Sequence, residues 1–131
     1  MDRQISYRNP GDMPPTAGYS HYVEVSGGRT IYLSGQVPLD SNGRIVGQTF
    51  SEQAEQVFRN IKTALMDAGA DFGHVVKISM YIKDMDHLSA LRAVRDRYLE
   101  PDRLPASSLF AVSGFFHPDI LVEIEAIAVV D

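Results

Sequence analysis

The chain contains no cysteine and no tryptophan. The missing cysteine excludes a disulfide framework, a thiolate metal site and a cysteine nucleophile, and it leaves the redox compartment open. Long apolar runs are also missing: each is broken by glycine, proline or charge well short of the roughly 18 residues of a membrane span. Residues 1–20 carry Asp2, Arg3, Arg8 and Pro10 and no apolar stretch, so no signal peptide is expected and a cytoplasmic location is the default. Basic clustering is scarce as well. Twelve Lys and Arg stand against 17 Asp and Glu, a net charge of −5, and the basic residues are scattered among carboxylates, which argues against nucleic-acid binding.

What remains is 131 residues with 44% hydrophobic content. A single domain over 1–131 of that size buries roughly two-thirds of its unfolded surface, and a subunit interface would add to its stability. Residues 1–17, with Asn9-Pro10-Gly11 and Pro14-Pro15, have no period and read as an irregular arm. Tyr22-Val23-Glu24-Val25 and Thr30-Ile31-Tyr32-Leu33-Ser34 flank Gly27-Gly28, which predicts an antiparallel hairpin. Asp40-Ser41-Asn42-Gly43 is a turn signal, with a possible short strand at Arg44-Ile45-Val46.

Thr49 and Glu52 have capping-box spacing, and Ala54, Val57, Phe58, Ile61, Leu65 and Ala68 recur at three and four residues, predicting a helix that Gly69 ends. In residues 75–83, Val76, Ile78, Met80 and Ile82 alternate with Lys77, Ser79 and Lys83, the pattern of a half-buried strand. Asp84 or Asp86 caps a second helix marked by Leu88, Leu91, Val94 and Tyr98, which stops before Pro101. Its exposed face is rich in Arg and Asp, and Arg92, Arg95 and Arg97 read as solvated there, paired with Asp96 and Glu100, unless one of them points into a cleft. Two strands follow, over 107–112 and 120–129. The pattern is that of an α+β sandwich, a mixed β-sheet with two helices on one face. Two helices cannot cover both faces of such a sheet, so the uncovered face is expected to pack against other copies of the chain.

Few residues stand out chemically. Glu123 and Glu125 share one face of the last strand among Leu121, Ile127 and Val129. Spacing alone favours an edge charge pair or an interface ion pair; the other reading is a carboxylate in a dry pocket, raised in pKa and able to act as general acid or base. Gly35, after Ser34, permits close approach by a ligand or another chain, or else marks a bulge. Ser107 and Ser108 lack a His-Asp partner, so no serine-hydrolase triad is indicated. His21, His74, His87 and His117 show no ligand spacing, and no metal is assigned.

Taken in order, Gly18-Tyr19-Ser20, Leu33-Ser34-Gly35-Gln36-Val37-Pro38-Leu39-Asp40, Asn60-Ile61 with Leu65 and Gly69-Ala70, Val75-Val76-Lys77 and Val122-Glu123-Ile124-Glu125-Ala126-Ile127-Ala128 resemble the RidA/YjgF (endoribonuclease L-PSP-like) family across nearly the whole chain after the arm. The resemblance implies a chorismate-mutase-like fold, a homotrimer with ligand clefts between subunits, and cofactor-free hydrolysis of reactive enamines and imines to 2-keto acids and ammonia. It implies a catalytic role for Glu123 in water activation and proton transfer. Tyr19, Ser34, Gly35 and the two serines are its binding positions. In the family an Arg within Pro-Ala-Arg-Ser clamps the substrate carboxylate; here the motif reads Pro105-Ala106-Ser107-Ser108, and Leu109 stands where a Cys usually follows. The family's Asn on the second helix aligns with Arg92, which makes Arg92 a candidate replacement clamp. Three functions follow as expectations: an imine deaminase with altered substrate choice, acting on an imine or keto-acid-like ligand; a non-catalytic binding or sensing trimer; and, disfavoured by charge, a ribonuclease.

Overall fold

The computed structural model describes residues 2–131. Six strands and two helices form in the order β1 (Gln4–Arg8), β2 (Tyr22–Ser26), β3 (Arg29–Gln36), α1 (Phe50–Asp67), β4 (Val75–Ile82), α2 (Leu88–Asp96), β5 (Ala106–Ala111) and β6 (Val122–Val130). The main sheet is mixed, in the order β3-β6-β4-β5, with β4 and β5 parallel and the other pairs antiparallel. This is the expected α+β sandwich with both helices on one face.

Side-chain alternation decides what that face contains. Val122, Ile124, Ala126 and Ala128 of β6 and Ile78, Met80 and Ile82 of β4 are buried against Ala54, Val57, Phe58, Ile61 and Leu65 of α1 and Leu91 and Val94 of α2. The helix over 50–67 begins as the sequence predicts: the Thr49 hydroxyl accepts from the Glu52 N–H, and Gly69 takes φ +77 just beyond the C-cap Ala68. Asp84, not Asp86, caps the second helical segment, through a 3-10 turn over Met85–His87. The α-helix itself ends at Asp96, so Tyr98 lies beyond it, stacked on Phe58 with its hydroxyl donating to Glu55.

Three expectations are corrected. The stretch 1–17 is not irregular throughout, because β1 pairs with β2; its alternation of Ile5 and Tyr7 becomes a strand only when Val25 and Val23, far along the chain, stand opposite. The Gly27-Gly28 turn, with φ of +71 and +80, does not close a hairpin: β2 pairs with β1 and β3 pairs with β6. The β6 partner wins β3 because the register Leu33↔Ala126 carries Leu33 into the core. Residues 44–46 form no strand, only an isolated bridge between Leu39 and Ile45.

The other face of the main sheet is open. Tyr32, 77% exposed, Phe110 stacked on Tyr81, and Ile127 lie on it beside Lys77, Ser79, Glu123 and Glu125. Among the described residues no helix is long and apolar enough to cross a membrane.

Buried Gln53, 2% exposed, ties the start of α1 to the approach of β6. Its Nε2 donates to the carbonyls of Asp119 (2.8 Å) and Gly47 (3.3 Å), and its Oε1 accepts from the Leu121 N–H (2.9 Å). Gln53→Leu leaves three backbone groups without partners, and chemical denaturation is expected to show a loss of about 2 to 4 kcal/mol.

Candidate functional site

Tyr19, Arg92, Ser107 and Ser108 line one cavity of about 150 Å³ between the segment before β2, α2 and β5. The segment is pinned to the start of β5: the Ser20 N–H donates to the Pro105 carbonyl (3.0 Å) and the Ser20 hydroxyl to that of Leu104 (2.6 Å). Parallel pairing of Ile78 with Ser107 turns Ser107 toward the helices. Ser108 also borders the cavity, but its hydroxyl belongs to the open face, where Lys77 Nζ lies 3.0 Å away.

Arg95 lines the same cavity, and here the solvated-face expectation is corrected. Its side chain is only 8% exposed; its Nε donates to Asp96 Oδ1 at 2.9 Å, and Nη2 forms an ion pair with the same oxygen at 2.9 Å. Arg92 is exposed, as expected. Arg97 pairs with Glu55 rather than Asp96, and Glu100 pairs with Arg103. The period explains the burial: Leu88, Leu91 and Arg95 fall at i, i+3 and i+7, so Arg95 continues the apolar stripe of α2. That spacing was the signal in the sequence, and the side chain's charge hid it.

Ser34, Gly35 and Glu123 gather elsewhere, at the end of β3. The β3–β6 register shifts between Leu33 and Gln36, so Gly35 sits in an irregularity, and the Glu123 carboxyl fills the space a side chain would take. A Cβ at Gly35 would overlap Glu123 Oε2 and lie 3.0 Å from its Cδ. Burial first, and the neighbouring Glu125 charge second, raise the Glu123 carboxyl above the ordinary glutamate range. Glu125, two residues on, accepts a hydrogen bond from the Tyr81 hydroxyl (2.9 Å), which raises the phenol pKa in turn. It also borders a cavity of about 310 Å³ on the open face with Tyr32, Ser34, Lys77 and Ser79.

Within one chain the two groups do not share a cavity: Ser34 and Gly35 stand on one edge strand of the sheet, Ser107 and Ser108 on the other. No group of three or more His, Asp or Glu among the described residues is placed to hold a metal ion.

This arrangement has known relatives. Residues 11–130 match the family model described as Endoribonuclease L-PSP. The chain is 39% identical over 112 residues to the 2-iminobutanoate/2-iminopropanoate deaminase of Mus musculus, covering 85% of this chain and 80% of the mouse protein. It is 36% identical over 115 residues to a RutC family protein of Pyrococcus abyssi, covering 87% of each. Among solved structures, a Rid-family protein from Yersinia pestis superposes with TM-score 0.90 at 36% identity, over 99% of this chain and 100% of that one. RidA from an Antarctic Psychrobacter gives 0.73 at 30% identity, over 95% and 98%. With the family model matched over all but the chain's first residues and its last, and the fold shared with these relatives, the chain belongs to the endoribonuclease L-PSP family, the RidA/YjgF family whose motifs it carries.

Proposed function

We propose that this chain hydrolyses a reactive enamine or imine to a 2-keto acid and ammonia, without a cofactor and with a substrate choice unlike that of relatives bearing the arginine clamp. The observation that carries the reading is the Glu123 carboxyl, seated on bare Gly35 and raised in pKa by burial. Such a group holds a proton nearer neutral pH than an ordinary glutamate and is suited to both halves of the reaction. Protonated Glu123 delivers its proton to the enamine carbon, giving the iminium. The carboxylate then takes a proton from the water that attacks the iminium carbon. The resulting carbinolamine releases its nitrogen as ammonia and leaves the carbonyl, so one water is consumed per ammonia formed. A relative named for 2-iminobutanoate and 2-iminopropanoate deamination supports the substrate class.

The working form is a homotrimer in the cytoplasm, with clefts between subunits. Support comes from the open sheet face and from the position of the two residue groups on opposite edge strands: a cleft that uses both Glu123 and Ser107 draws them from two copies. Tyr19, Ser34, Ser107 and Ser108 supply hydrogen bonds there. A second reading, a non-catalytic binding or sensing trimer, is favoured by one observation, Ser107 at the position of the family's clamping arginine.

Imines generated in situ by an amino-acid oxidase test the first reading. Keto-acid and ammonia formation is expected to accelerate with the protein and to lose that acceleration in Glu123→Gln; no acceleration for any amino acid favours the binding reading. Glu123 is also expected to leave a pH signature. Its folded-state pKa is raised, so its ionisation opposes folding above that pKa, and the opposition vanishes below the unfolded value of about 4.3. Glu123→Gln is therefore expected to raise Tm at neutral pH, with the gain fading as pH falls to about 4. Tyr32→Asp, on the open face, is expected to shift sedimentation from trimer toward monomer.

A further inference from the structure

We propose that Arg95 is the carboxylate clamp of this cleft, reaching it from α2 rather than from β5, and that the site takes a monocarboxylate. The inference rests on the reading above for the identity of the ligand, but its observations are separate.

The Arg95 side chain is buried to more than nine-tenths and borders the cavity with Tyr19, Arg92 and Ser107. Asp96 occupies one side of the fork only: a single oxygen, Oδ1, takes Nε and Nη2, while Nη1 has no partner among the described residues. One N–H of Nη2 and both of Nη1 are left, the edge that receives a carboxylate in bidentate fashion. Nη1 is not among the buried atoms left without a partner, so this end of the fork is open to the cavity and an anion entering there displaces no protein acceptor.

The chain also clears space for this group. Gly18 takes φ +79 and carries no side chain; a Cβ there would overlap Arg95 Nη2, lie 2.6 Å from Cζ and 3.0 Å from Nη1. The backbone thus passes close against the guanidinium one residue before Tyr19, so the clamp and a proposed substrate-binding residue are positioned by the same turn.

Charge selects the ligand. Arg92 and Arg95 together with Asp96 sum to one positive unit, which one carboxylate balances and two exceed. Arg92 is exposed, and an exposed pair contributes little in water, so the buried Arg95 dominates. The cavity is small, about 150 Å³, in keeping with the head of a small acid. Position 107 then needs no arginine, since a guanidinium already enters from the helix.

Titration of the intact protein with 2-oxobutanoate tests this, with butanone as the same chain without the carboxylate and thermal melts as the check on folding. Wild type is expected to bind the acid and not the ketone. Arg95→Gln and Arg95→Lys are expected to weaken binding by about 10-fold or more, the lysine failing because a point charge does not reproduce the fork. Arg92→Ala is expected to weaken it by about threefold or less. Undiminished affinity in the Arg95 variants, a larger loss in Arg92→Ala, or no binding of the acid by wild type overturns the assignment. If neither Arg95 variant folds, the exposed Asp96 decides: Asp96→Asn removes a competing charge and is expected to tighten 2-oxobutanoate by about threefold, whereas unchanged or weaker affinity overturns the clamp. Imine hydrolysis measured in parallel separates the two proposals. Arg95-dependent binding without hydrolysis keeps the clamp and removes the enzyme, while hydrolysis with kcat/KM unchanged in Arg95→Lys keeps the enzyme and removes the clamp.

Discussion

The alternation of side chains along β6, set against only two helices, is the constraint on which the rest of the molecule depends. Val122, Ile124, Ala126 and Ala128 go to α1 and α2 and form the core with β4. The intervening residues, Glu123, Glu125 and Ile127, are thereby sent to a face that no helix covers. A sheet face that carries Tyr32, Phe110 and Ile127 as well as two carboxylates is too apolar for water alone and too polar for a core. Such a surface suits a boundary between copies of the chain.

The two groups of candidate residues follow from the same geometry. Edge strands are where a sheet's backbone is still accessible, and β3 and β5 are the two edges. The irregularity in β3 opens a space at Gly35 that the Glu123 carboxyl enters, and partial burial there gives Glu123 its raised pKa. At the other edge, β5 runs parallel to β4, and Ser107 faces the helix layer where Arg95 lies buried. A carboxyl raised in pKa and a buried arginine thus lie toward opposite edges of one sheet, and a cleft that used both would have to draw them from two copies of the chain.

Glycine does different work at the two ends. Gly35 is needed for absence of bulk, since its neighbour carboxyl occupies the Cβ position. Gly18 is needed for both absence of bulk and a positive φ, since the backbone turns across the Arg95 guanidinium. Both glycines stand in the motifs that carry the family resemblance, and each is explained by a charged side chain from elsewhere in the chain.

Local pattern was enough for the elements whose stability is local. The Thr49 cap, the three-four spacing from Ala54 to Leu65, the Gly69 stop and the alternation in β4 and β6 are written in neighbouring residues, and they carry the α+β class and the uncovered face with them. Glu123 and Glu125 on one strand face were legible for the same reason, a period of two. What pairs with what was decided by tertiary structure: β1 exists only because β2 stands opposite it, and Gly27-Gly28 turns the chain from one sheet to another because β6 offers Leu33 a buried register that β2 does not. The burial of Arg95 was decided there too. Its place on the Leu88-Leu91 stripe is a matter of sequence, but whether a guanidinium on that stripe reaches solvent or a cavity depends on Gly18 and Asp96, which only the folded chain brings to it.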